Sequence, residues 1–267
     1  MQRREFIAGL GSVAAWPLVA RAHQGDRVRR IGVLMSYDEN DPEVKLRVSA
    51  FTQALARLTW TVGGNVQMDL RGAGGDANRM RALAQELVGL HPDVIATNGT
   101  AATAAVQGET RTIPIVFANA GDLVSGGPVA TLNPGENITG FVSLEATLGG
   151  KWLEMLSEIA PGLKRVAVMF NPDTAPASAY MPSVETAARS LKIEPVTKLV
   201  HSDAEIEEAI IDLGHEPGGG LVVMPDVFVA VHRAPIILAA LDTTYRPSIR
   251  NPSTPERAVC FRTESTR

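Results

Sequence analysis

Short β-branched runs alternate with segments of helical period along this chain, and the alternation starts twice. Residues 30–35 (RIGVLM) read as a buried strand, after which Asp41-Pro42 supplies an N-cap and a first-turn proline. Val44, Val48, Phe51, Leu55 and Leu58 follow at spacings of 4, 3, 4 and 3, which predicts one apolar stripe on a helix. Residues 66–70 read as a second strand, a helix over 76–88 carries Met80, Leu83, Leu87 and Val88, and 94–97 and 113–118 read as the third and fourth strands. The order βαβαβαβ is that of a parallel sheet covered on both faces. After Gly140-Phe141 the pattern begins again. A helix with Trp152, Leu153, Leu156 and Ile159 leads into a strand at 165–170, and helices separate that strand from 195–200 and 221–224. The sequence therefore predicts an α/β chain of two Rossmann-like lobes with parallel sheets, 28–140 and 141–242, joined near residues 133–146.

Two open parallel sheets in one chain imply a cleft between them, with ligands held at the carboxyl ends of the strands. The first strand is followed by Ser36-Tyr37, the third by Asn98-Gly99-Thr100 and the fourth by Asn119 and Asp122. In the second half Asn171 and Thr174 follow the first strand and Asp226 the third. These ten residues are the candidate ligand contacts. Helices start directly after them, so backbone N–H groups and positive dipole ends face the cleft, a setting that suits a carboxylate. Asp122 and Asp226 could pair with an ammonium, and Tyr37, Tyr180 or Phe228 could cover an apolar body. Ser, Thr, Asn and Asp in such places are also the usual helix N-caps, and each of them singly is open to that reading. Asn98-Gly99-Thr100 is the strongest group, because its glycine also permits close backbone approach.

Signals for catalysis are poor. Gly72-Ala73-Gly74-Gly75-Asp76-Ala77 matches a dinucleotide-binding pattern, but it follows the second strand of its unit rather than the first and reads as a turn. The five histidines, at 23, 91, 201, 215 and 232, lack metal-ligand spacing, and no G-x-S-x-G elbow occurs. No catalytic residue, metal site or cofactor is expected.

Twenty-five Lys and Arg against 29 Asp and Glu give a formal charge of -4, without the basic excess that a nucleic-acid partner demands. The single cysteine, Cys260, cannot form an internal disulfide. At the start of the chain, Arg3-Arg4 precedes an apolar run over 6–19 and the small-x-small sequence Ala20-Arg21-Ala22. That order predicts a Tat-type signal peptide over residues 1–22, cleaved near Ala22, and a soluble, monomeric product in the periplasm.

Several segments are similar, in order, to ABC transporter substrate-binding proteins of the tryptophan/tyrosine-binding type. They are Arg30-Ile31-Gly32-Val33-Leu34, Pro92-Asp93-Val94-Ile95 with Asn98-Gly99-Thr100, residues 112–117 (TIPIVF) and Asn137-Ile138-Thr139-Gly140-Phe141. Residues 149–154 (GGKWLE), 170–174 (FNPDT) and 218–226 (GGGLVVMPD) extend the resemblance, which covers about residues 28–241. It implies a type I periplasmic binding fold and a small ligand, amino-acid-like or a carboxylate, held between two lobes for an ABC permease in the inner membrane. The alternatives are a periplasmic α/β enzyme or sensor domain using the same cleft, or a non-functional fragment of the binding protein. The last arises because residues 243–267 (TTYRPSIRNPSTPERAVCFRTESTR) depart from the family pattern and lack apolar period. This divergent tail predicts that part of the second lobe and the closing portion of the first are missing, which leaves an uncovered edge on each of the two sheets.

Overall fold

The computed structural model of the chain describes residues 27–121, 137–175, 177–214, 218–245 and 258–260. The expected signal peptide lies outside these residues, as does Asp122.

The first lobe is a five-stranded sheet made of β1 (Arg29–Met35), β2 (Val66–Gly72), β3 (Val94–Asn98), β4 (Ile115–Gly121) and β5 (Ile138–Leu144), in the order β2-β1-β3-β4-β5. Every pairing is parallel. Helices α1 (Pro42–Arg57), α2 (Ala77–Gly89) and α3 (Thr100–Glu109) connect the first four strands. Successive residues of β1 enter different cores: Leu34 packs with Met80, Leu87, Ile95 and Phe117, while Ile31, Val33 and Met35 pack with Val44 and Val66. A strand apolar on both faces follows from a sheet with helices on both sides. Local chemistry fixes where the helices start. Asp41 Oδ1 accepts from Glu43 N at 2.8 Å with Pro42 in the first turn, and Asp76 Oδ1 accepts from Asn78 N and Arg79 N at 2.8 Å each. Leu58 leaves the expected stripe: it is the C-cap of α1 and points to solvent.

The second lobe holds α4 (Leu148–Ile159), β6 (Arg165–Phe170), α5 (Ala177–Leu191), β7 (Glu194–Leu199), α6 (Asp203–Gly214), β8 (Gly219–Val223), the short α7 (Val227–Val231), α8 (Arg233–Tyr245) and β9 (Ala258–Cys260). Its sheet runs β7-β6-β8-β9, again wholly parallel. Val166, Val168 and Phe170 face α4 and α5, and Ala167 and Met169 face α6 and α8. Helices α4 and α5 approach closely through glycine: a Cβ on Gly149 would lie 2.7 Å from Ser183 Oγ and from the Tyr180 carbonyl oxygen.

Two expectations are corrected. The segment read as a joint between the lobes contains β5, which pairs with β4 and crosses the boundary expected after residue 140. Its polar and glycine content suits an edge strand, where one side of the backbone ladder is left unpaired. The tail, read as leaving the last strand uncovered, supplies β9, whose residues 258–260 pair with Gly220, Leu221 and Val222. Three residues between arginine- and proline-rich stretches are too few to show a period.

Candidate functional site

The carboxyl ends of both sheets face a cleft of about 810 Å³, lined from the first lobe by Ser36, Tyr37, Gly99, Thr100 and Asn119 and from the second by Thr174, Tyr180 and Asp226. Seven of the ten candidate contacts thus share one cavity. Asn98 and Asn171 stand behind its wall.

The third strand end is shaped by Gly99, the N-cap of α3, with φ at 97°. A Cβ there would lie 2.5 Å from Ser36 Oγ, so glycine is required both by the backbone conformation and by the close approach of β1. The buried Ser36 hydroxyl donates to the Asn98 carbonyl oxygen at 2.8 Å, which ties the ends of β1 and β3 together. Asn98 is turned away from the cleft, its Oδ1 accepting from Arg47 Nη1 at 2.8 Å. The same guanidinium pairs with Glu43 at 2.5 Å and stands 5.9 Å over the Tyr37 ring, backing that ring from α1. Asn119 takes a left-handed conformation, φ 52°, where β4 and β5 shift register, and its Oδ1 accepts from Ser143 Oγ at 3.0 Å. A bulge at a strand end re-aims the residue there, and this one turns Asn119 to the rim.

In the second lobe Asp226 is 7% exposed, and both of its carboxylate oxygens are engaged by the protein. Oδ1 accepts from Thr174 Oγ1 and Val229 N at 3.0 Å each, and Oδ2 accepts from Asn171 N at 3.0 Å. Burial pushes the Asp226 carboxyl above the usual carboxylate range, against the opposing pull of these bonds. Asp226 is therefore the N-cap of α7 and the tie between β8 and the end of β6, and it also lines the cleft. Asn171 acts within the same loop, its Oδ1 accepting from Asp173 N at 2.8 Å.

Four N-cap residues stand in the cleft wall: Asp41, Asp76, Gly99 and Asp226. Three bring their own carboxylate to the helix they start. Only α3 begins without a side-chain cap, so among these four it alone offers its positive end to another acceptor. The glycine-rich turn after β2 is excluded as a phosphate loop on the same ground, because Asp76 already occupies the N–H groups that a phosphate would need. Sequence reasoning passed over Arg79 and Arg233, the cations in the wall. Arg79 reaches across Gly74 to within 3.9 Å of Asp38, whose carboxyl sits below its usual range chiefly because it accepts from the Asn40 backbone N–H. Among the described residues no cluster of His, Cys, Asp and Glu is arranged to hold a metal, and no helix is long and apolar enough to cross a membrane.

Comparison with known proteins agrees with this architecture. The tyrosine-binding protein of Clostridioides difficile (strain R20291) is 26% identical over 192 residues, which cover 68% of this chain and 54% of that one. The chain thus spans about half the length of that curated relative. A conserved domain protein from Vibrio cholerae O1 biovar El Tor strain N16961 superimposes with a TM-score of 0.70 at 25% identity, over 82% of this chain and 72% of that chain. An ABC domain from Streptococcus pneumonia, solved in complex with L-Trp, superimposes with a TM-score of 0.68 at 18% identity, over 81% and 72%, and shares the fold. The architecture is that of the type I periplasmic binding proteins. The profile of ABC transporter substrate binding proteins matches residues 31–246, through both lobes and every described strand except β9, and the chain belongs to that family.

Proposed function

We propose that the chain is the periplasmic solute-binding component of an ABC import system, exported by its twin-arginine leader and delivering a small amino acid to an inner-membrane permease. The observation that carries this reading is the cleft at the facing carboxyl ends of two parallel sheets, whose volume of about 810 Å³ is ample for an amino acid with an aromatic side chain. The uncapped start of α3 suits the ligand carboxylate. The acidic rim formed by Asp38, Asp41 and Glu43 suits the ammonium, and Tyr37, held from behind by Arg47, suits the side chain. The tyrosine-binding relative and the L-Trp complex of the shared fold support an aromatic amino acid.

The test is thermal unfolding of protein refolded from denaturant, to strip carried-over ligand, against the twenty L-amino acids. L-Tyrosine or L-tryptophan should raise the midpoint in a concentration-dependent manner, since a ligand that binds only the folded state stabilises by RT ln(1 + [L]/Kd). A well-folded protein that responds to no amino acid, but to a sugar or another neutral solute, overturns the assignment of ligand class.

A further inference from the structure

Helix α7 belongs by chain order to the second lobe, yet its residues divide between two cores. Phe228 and Val229 pack with Met169, Ile206 and Leu221 of the second lobe. Val227, only 8% exposed, packs instead with Leu34, Ala73 and Met80 of the first. One turn further on, Val231 stands against Gly75, a buried residue with φ at 82°. A Cβ on Gly75 would lie 3.2 Å from Val231 Cγ2, 3.5 Å from the Val227 carbonyl oxygen and 3.7 Å from Val231 Cβ. The bare backbone of the turn is thus the seat for two valines from across the cleft.

Both halves of this contact are anchored to their own lobes. Ala73 N donates to Met35 O at 3.0 Å and Gly75 N to Ser36 O at 2.8 Å, fixing the turn to the end of β1. On the other side Asp226 caps α7 and binds it to Thr174 and Asn171. Ala73, Gly74, Val227 and Val231 also line the cleft, so the contact forms part of its wall. We infer that α7 and the turn at residues 72–76 form a latch that joins the two lobes without help from a ligand and must part for the cleft to open on that side. The contact is apolar and made of protein on both faces, so its strength is set by Val227, Val231 and Gly75, whichever solute is carried. This inference stands apart from the assignment of ligand class.

The 3.7 Å separation of the two Cβ positions falls within the window of about 3.5 to 4.5 Å for a disulfide. The full chain carrying Gly75→Cys and Val231→Cys, with Cys260→Ser to remove the native thiol, should therefore cross-link under mild oxidation in most molecules after ligand has been stripped by refolding. Its radius of gyration in small-angle X-ray scattering should be the same before and after oxidation. Cysteine at a positive φ is strained, so a second variant tests the latch without touching Gly75. Val231→Asp, at a half-exposed position, sets a carboxylate against the apolar seat and should enlarge the radius of gyration of stripped protein while the far-ultraviolet circular dichroism stays unchanged. Thiols that stay reduced and reactive to maleimide in folded double variant would overturn the latch. A wild-type radius equal to that of Val231→Asp would do the same, because the substitution would then have had no closing contact to break.

Discussion

Thr174 and Asp226, 52 residues apart in the chain, are joined by a buried hydrogen bond of 3.0 Å from the threonine hydroxyl to a carboxylate oxygen. The bond locks the loop after β6 to the start of α7, and it assigns the carboxylate to the protein's own architecture. Replacing Asp226 by Ala removes a helix cap and strands two buried donors, for an expected loss of about 2 to 3 kcal/mol in stability. Chemical denaturation of ligand-stripped protein measures it. An unchanged denaturation midpoint accompanied by lost ligand affinity would return Asp226 to the ligand.

Gly99 carries two separable constraints, its positive φ and the proximity of Ser36 Oγ, which would lie 2.5 Å from a Cβ at this position. Gly99→Ala should destabilise the first lobe by about 1 to 3 kcal/mol. Adding Ser36→Ala removes the oxygen and should recover part of the loss, the remainder being backbone strain. A double-mutant cycle reads the two shares. Strict additivity of the two substitutions would show that the hydroxyl is not the obstacle.

Two carboxylates give opposite pH dependences. Asp69 lies below its ordinary value of 3.8, chiefly because it accepts from the Arg30 guanidinium at 2.7 Å. Between those two values the unfolded chain holds more protons, so the contribution of Asp69 is complete above pH 3.8 and is lost as pH falls through the lower folded value. Asp226 is raised by burial, so its contribution is fullest below 3.8 and declines as pH rises through the raised value. Asp69→Asn should therefore flatten the acid side of a stability profile followed by urea midpoint from mildly acidic pH downward. A profile with the wild-type slope below pH 3.8 would remove the Arg30–Asp69 pair from the account.

The uncapped α3 makes a chemical prediction about the ligand. If its N-terminus receives a carboxylate, the amide or methyl ester of the bound amino acid should bind at least about tenfold more weakly, since a charge-assisted hydrogen bond contributes about 1.5 to 3 kcal/mol. Competition calorimetry with the free acid supplies the comparison. Equal affinity for acid and amide would place the carboxylate elsewhere.

What could be read in the sequence was whatever repeats locally. The strand at residues 30–35, the stripe beginning at Val44 and the polar groups after each strand were legible because a period or a cap extends over only a few residues. The partners of those polar groups were not. Asn98 is held by Arg47 from 51 residues away, and Asp226 by Asn171 from 55, distances at which nothing in the local pattern announces a bond. Seven candidates meet around one cavity, while the division between those facing it and those bracing it required the fold. Strand β5 escaped because an edge strand needs no continuous apolar run, and its Phe141 lies on the surface, 78% exposed.

Among the described residues one covalent crossover joins the lobes, between the end of β5 and the start of α4. Its Ala146 carbonyl accepts from the Ser183 hydroxyl at 2.7 Å, which ties the crossover to α5 and leaves the step just after Leu144 as a pivot between the lobes. That pivot sits at the β5 edge of the first sheet, whereas the turn that receives Val231 follows β2 at the other edge, four strand spacings or roughly 19 Å away. The sheet is then a lever arm. A rotation of about ten degrees at the pivot moves the far rim by roughly 3 Å over that span, enough to lift an apolar side chain out of van der Waals contact while barely disturbing the residues beside β5.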